Sequence, residues 1–237
     1  MTTISERLQA VQAHIHAAER NTGRGPQEVA LLAVSKAHPA SAVRAAFAAG
    51  QRLFGENYLQ EALDKQAELT DLDIEWHFIG PIQSNKTQAI AQHFAWVHGV
   101  DRLKIAERLN AARPEHLPPL QICIQLNVSS EPSKSGVLLH EVDALADTII
   151  KLPRLQLRGL MAIPAPTADI TMQRQQFRIV RTAYESLRNR GLDLGCLSLD
   201  TLSMGMSEDF AAAIAEGATI VRIGSAIFGA RPTSTDK

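Results

Sequence analysis

The chain has 237 residues, 45% of them hydrophobic, 21% charged and 5% aromatic, enough for one α/β barrel or two small domains around a sizeable core. Its 24 basic and 25 acidic residues leave a formal charge of -1, so no global field favours a nucleic acid backbone or an anionic membrane as partner. Ordinary apolar content, with 14 glycines and 11 prolines, excludes a disordered chain.

Ile4 to Arg20 reads as an amphipathic helix standing before the first strand. Glu28 to Val34 is continuously apolar after its first residue and too short for a normal helix, which predicts a strand buried on both faces. Pro39 to Ala49 follows as a helix, with proline in its first turn and Gly50 as its stop. The scheme then repeats: Leu53 to Gly55 before a helix from Tyr58 to Leu69, Ile74 to Ile79 before one opening near Ser84, and Phe94 to His98 before Arg102 to Ala112. In the second half, Leu120 to Val128 precedes a helix from Val137 to Lys151, and Leu155 to Ala162 precedes Met172 to Arg190. Cys196 to Leu202 precedes Asp209 to Glu216, and Thr219 to Ile223 is the last strand. About eight strand-then-helix units, spaced like βαβ crossovers, predict a single (β/α)8 TIM barrel with an extra N-terminal helix. A doubly wound open sheet is the alternative, but no Gly-x-Gly-x-x-Gly turn follows the first strand. No linker or charge block divides the chain, so one domain over residues 1–237 is expected.

Cys123 and Cys196 are too few and too far apart for a disulfide framework or a Cys-rich zinc site, and read as buried thiols of a reducing compartment. The opening MTTISERLQAVQAHIHAAER lacks the apolar region of a secretory signal, and no run approaches the ~20 apolar residues of a membrane helix. A soluble, cytoplasmic protein is expected.

In a barrel, chemistry gathers on the loops after the strands. Lys36 emerges from the first apolar strand on the same face as Leu32 and Val34, where partial desolvation would free its amine as a nucleophile; a solvated charge at the rim is the plain alternative. Arg222-Ile223-Gly224-Ser225 ends the last strand and opens a short helical turn, whose N–H groups and hydroxyl would take a phosphate. Leu202-Ser203-Met204-Gly205 could reach the same phosphate, while Ser207 or Asp209 reads as a helix cap and the methionines as packing. Gly55-Glu56-Asn57 and His77 to Lys86 form a further polar cluster; His77 reads first as a hydrogen-bonded structural group and second as an acid/base. The scattered histidines have no metal-ligand spacing. A lysine, a phosphate cradle and an arginine suit a phosphorylated aldehyde. Pyridoxal phosphate fits, and a sugar-phosphate aldolase would use the same groups.

Ala33-Val34-Ser35-Lys36, Phe54-Gly55-Glu56-Asn57, the run from Trp76 to Lys86, Ser133-Lys134-Ser135-Gly136, Gly159 to Pro164, Leu202 to Ser207 and Arg222 to Gly229 together resemble the pyridoxal phosphate homeostasis protein family. The resemblance runs in order along nearly the whole chain. It implies a barrel like the N-terminal domain of alanine racemase, with Lys36 as the Schiff-base lysine and Ser203, Gly224 and Ser225 at phosphate-binding positions. It also implies main chain from Met204 at the phosphate, Arg222 beside the pyridine nitrogen and Asn57 in the cofactor pocket. Ala37-His38-Pro39 departs from the lysine-bearing version common in that family, which bears on a second lysine in this loop and not on Lys36. The family is regarded as non-enzymatic, binding and delivering the cofactor, so a monomeric carrier with apo cofactor-dependent enzymes as recipients is expected. An arginine can only donate and does not stabilise a protonated pyridine nitrogen, and a barrel without the second domain that completes racemase-like sites is expected. A weak amino-acid racemase is the alternative.

Overall fold

Strands this short and apolar are stable only when both faces are covered, one by the barrel interior and one by a helix. In the computed structural model, which describes residues 2–129, 135–193 and 198–230, this is how they are used. β1 (Ala30–Val34), β2 (Leu53–Glu56), β3 (Glu75–Phe78), β4 (Trp96–Val100), β5 (Leu120–Leu126), β6 (Leu155–Ala162), β7 (Thr201–Ser203) and β8 (Ile220–Ile223) form a closed parallel barrel in chain order. β8 returns to β1, with Ala30 opposite Ile220 and Ala33 opposite Ile223. The closure confirms the (β/α)8 reading and removes the open-sheet alternative.

Each strand is followed by a helix: α2 (Ala40–Ala48), α3 (Leu59–Glu68), α4 (Thr87–His93), α5 (Leu103–Ala112), α6 (Val142–Ile149), α7 (Ile170–Asp193), α8 (Phe210–Ala215) and the single turn α9 (Ser225–Phe228). The extra helix α1 (Ile4–Asn21) buries Leu8, Val11, Ile15 and Ala18, spaced three and four apart along one stripe. It packs on α8, α9 and α2, and Arg7 Nε donates to the Ile227 carbonyl at 2.7 Å. Glu19, 1% exposed, accepts from the Val29 N–H at 2.8 Å, so α1 also ties down the approach to β1.

Three boundaries move for identifiable reasons. The helix expected from Val137 begins at Val142 after a 3-10 turn over Leu139–Glu141, because Val137 extends the sheet instead, donating to Gln125 O at 2.8 Å and accepting from Asn127 N at 2.9 Å. The strand expected at Phe94–His98 runs from Trp96 to Val100: the Phe94 N–H closes α4 on the Ile90 carbonyl, and its ring packs edge-on to Phe78. Of the strand expected from Cys196, the described residues form Thr201–Ser203; Cys196 and Leu197 lie outside the described residues. Among the described residues, no helix is long and apolar enough to cross a membrane.

Two layers of side chains result. Between strands and helices lies a continuous apolar layer that includes Phe54, Ile90, Ile105, Leu109 and Phe177. Inside the barrel, a small apolar group of Trp96, Cys123 and Met161 is joined by buried polar residues, His77, His98, Ser203 and Arg222.

Candidate functional site

β1 ends at Val34, paired with Gly55 of β2, and the chain turns through Ser35, Lys36 and Ala37. The face parity read from the sequence carries through: Lys36 and Val34 line one cavity of about 350 Å³ at the C-terminal end of the barrel. The turn is held from beneath by a buried cluster. Lys65 Nζ, on α3, donates to Ser35 O at 2.7 Å, to Glu56 Oε1 at 2.7 Å and to Glu61 Oε1 at 2.6 Å. The Ser35 hydroxyl donates to Glu56 Oε1 at 2.7 Å, and Glu61 Oε1 accepts from the Ala37 N–H at 2.6 Å. Burial pushes the Glu56 carboxyl above its ordinary value, while the charge and hydrogen bond of Lys65 and the Ser35 hydroxyl pull it back. With φ of 62°, Ala37 occupies the left-handed region that a side chain disfavours; the bond from Glu61 helps to keep it there.

Beside β1, β8 delivers Arg222 to the same cavity, 4% exposed and level with Leu32. Its Nη1 donates to Ser203 O at 2.6 Å and Ser203 Oγ at 2.9 Å, and its Nη2 to the Ala162 carbonyl at 2.9 Å. Burial pushes the guanidinium down to about 10, so it stays cationic at neutral pH. The chain then passes Gly224, where a Cβ would lie 2.9 Å from the Val34 carbonyl; glycine lets this turn press against the end of β1. In α9 the N–H groups of Ile227 and Phe228 both go to the Gly224 carbonyl, at 2.9 Å. Those of Ser225 and Ala226 stand first in the turn, where a helix offers no internal acceptor.

Asn57 completes the wall. Among the described residues its buried Oδ1 has no hydrogen-bond partner, an arrangement that costs free energy until a donor arrives. Its backbone lies against Gly80, where a Cβ would sit 2.1 Å from the Asn57 carbonyl oxygen. Gly80→Ala is therefore expected to displace Asn57 and to destabilise the fold by about 1–3 kcal/mol, as overpacking does. Urea denaturation checks it, and unchanged stability would mean that this segment yields freely.

Of the residues singled out in the sequence, Lys36, Asn57, Arg222, Gly224 and Ser225 line this one cavity. Ser203 and Met204, both 0% exposed, do not line it. The Ser203 oxygens are occupied by Arg222 and by His98 Nδ1, 2.8 Å from Oγ, and the Met204 N–H goes to Ile220 O at 3.1 Å. From the same loop, Met206, Ser207 and Asp209 reach the cavity instead. Asp209 does not cap α8 with its side chain; it turns back to accept from the Met206 N–H at 2.6 Å. His77 sits inside the barrel, 1% exposed and bonded to His98 and Glu75. Ser133 and Lys134 lie outside the described residues. Sequence reasoning missed Lys65 and His98, which no local motif marks.

The alanine racemase N-terminal domain family matches residues 7–232. The pyridoxal phosphate homeostasis protein of Pseudomonas aeruginosa is 61% identical over 231 residues, covering 98% of this chain and 97% of that protein. That of Escherichia coli K12 is 52% identical over 237 residues, covering 99% of each. PipY of Synechococcus elongatus PCC7942, solved with PLP bound, is 40% identical, covers 96% of this chain and 100% of its own, and superposes with a TM-score of 0.84. With its barrel, its lysine-bearing turn and this full-length similarity, the chain belongs to the alanine racemase N-terminal domain family and to the pyridoxal phosphate homeostasis proteins.

Proposed function

We propose that the protein binds pyridoxal 5'-phosphate in this cavity and serves vitamin B6 homeostasis in the cytoplasm, holding the cofactor and passing it to apo enzymes without turnover of its own. One observation carries the reading: a lysine at the end of an apolar strand shares a cavity with a buried cationic arginine and a Gly-Ser turn. The residues fit the group. Asn57 Oδ1 awaits a donor, and the N–H groups of Ser225 and Ala226 open the turn beside the cavity. When bound, the cofactor supplies an aldehyde for an amine and a pyridine ring that withdraws electrons. Lys36 offers the amine, Gly224 and Ser225 hold the phosphate, and Arg222 faces the ring nitrogen. Ser203 acts one step back, by seating Arg222.

The same residues favour storage over catalysis. Arg222 remains charged and can only donate, so it leaves the ring nitrogen unprotonated and the ring a weaker electron sink. His77, the base suggested by the sequence, is spent on buried hydrogen bonds. The racemase alternative has correspondingly less support.

The test begins with borohydride reduction of the loaded protein and peptide mass spectrometry. The adduct is expected on the peptide carrying Lys36, and an adduct mainly on Lys86 would sink the assignment. Incubation with each L-amino acid in deuterated water should show no α-proton exchange above that of free cofactor. Exchange at an enzyme-like rate, abolished by Lys36→Ala, would promote the racemase reading.

A further inference from the structure

Inside the barrel, a row of polar side chains runs from the wall of the cavity to the opposite rim. Glu75 opens β3 at the N-terminal end of the barrel, its side chain 44% exposed, and its Oε1 lies 3.0 Å from His77 Nε2. His77 Nδ1 lies 2.9 Å from His98 Nε2, and His98 Nδ1 lies 2.8 Å from Ser203 Oγ. Ser203 Oγ lies 2.9 Å from Arg222 Nη1. Five residues from β3, β4, β7 and β8 are thus joined end to end, and all but Glu75 are buried.

With both imidazoles neutral, one arrangement of hydrogens satisfies every link. A guanidinium only donates, so Ser203 Oγ accepts from Arg222 and sends its own hydrogen to His98 Nδ1. His98 then carries its hydrogen on Nε2 and donates to His77 Nδ1. His77 carries its hydrogen on Nε2 and donates to Glu75, a carboxylate that only accepts. The groups around the row agree with neutral rings. Burial pushes both imidazoles down, His98 further still because His77 and Arg222 face it. The hydrogen bond from His77 holds the Glu75 carboxyl below its ordinary value. Trp96 stacks on His77 at 5.3 Å with the Arg158 guanidinium over its indole, and the Cys123 thiol, pushed up to about 12 by burial, stays protonated. At the other end the Asp209 carboxylate draws on the charge of Arg222.

We propose that His98, His77 and Glu75 are positioning residues for Arg222: the row seats the guanidinium through Ser203 and couples the ring-nitrogen end of the cavity to a carboxylate on the far rim. Neutral dipoles aligned head to tail between a cation and an anion polarise one another, so a change at Glu75 is felt at Arg222. The inference rests on the reading of Arg222 as the group that faces the pyridine nitrogen.

The first arm of the test needs no cofactor. In long-range 1H–15N spectra of the full chain labelled at histidine, His77 and His98 should both show a protonated Nε2 and a bare Nδ1, unchanged between about pH 6 and 8. The second arm titrates pyridoxal phosphate and pyridoxal. Glu75→Ala, at an exposed position, should weaken both by the same factor, roughly 3- to 10-fold, because the phosphate is not involved. Glu75→Gln, whose amide oxygen still accepts, should stay within about twofold of wild type. A hydrogen on Nδ1 or an imidazolium in either ring would overturn the proposal, as would unchanged affinities in Glu75→Ala. A wild-type protein that failed to bind pyridoxal phosphate would overturn the cofactor reading, and the ring spectra would still decide the row.

Discussion

Lys65→Ala is expected to destabilise the protein by about 3–5 kcal/mol, because it strips the counter-charge from a buried carboxylate. Glu56 is fully buried; among the described residues its Oε2 already lacks a partner, and without Lys65 only the Ser35 hydroxyl remains. The variant's Glu56 would fold protonated, with a folded-state pKa above that of the unfolded chain. Its penalty then grows with pH from the unfolded value of about 4.3 up to the folded value, so it is large at neutral pH and shrinks in mild acid. Urea denaturation at neutral and mildly acidic pH measures both the size and the slope. The double variant Lys65→Met with Glu56→Gln should recover most of the loss, since it removes both charges together. An equal loss at both pH values would refute the account. Because Lys65 also holds the Ser35 carbonyl, the single variant should loosen the turn that presents Lys36.

Pyridoxal is expected to bind much more weakly than its phosphate. Each hydrogen bond to a charged group is worth about 1.5–3 kcal/mol, roughly 10- to 150-fold in affinity, and the Gly224–Ser225 turn is the proposed phosphate holder. Ser225→Ala should fall at the low end of that range for the phosphorylated form, since it removes a hydroxyl and leaves the N–H groups in place. The same substitution should barely affect pyridoxal. Equal affinities for the two forms, measured by absorbance titration, would remove the phosphate from this turn.

Much of this was legible because it rests on local chemistry. Apolar runs alternating with amphipathic stretches announce the barrel, and strand parity puts Lys36 on the face of Val34, where it lines the cavity. The buried supports were not legible. On α3, a helix whose mean composition is polar, Lys65 reads as one more solvated charge; only the docking of α3 beneath the Ser35–Ala37 turn buries it. His98 lies in an apolar strand, and its partner Ser203 is 105 residues away. Ser203 reads as a phosphate position from its loop beside Gly205 and from the family resemblance, and the bonds of its hydroxyl to His98 and Arg222 inside the barrel are not legible there. A three-residue strand gives too little pattern to tell inward from outward.

The pairing of β8 with β1 also has a temporal consequence. Lys36 leaves the ribosome early, whereas Arg222, Gly224 and Ser225 arrive nearly two hundred residues later, and the strand that carries Arg222 pairs with the one that carries the lysine. Contacts this distant along the chain form late in folding. A nascent chain therefore exposes an amine without the groups that would retain a phosphorylated aldehyde beside it. On the proposed assignment of these residues, loading would begin only once synthesis had passed β8 and the barrel had closed, so abandoned translation products lacking that strand would not withdraw cofactor from the cell's supply.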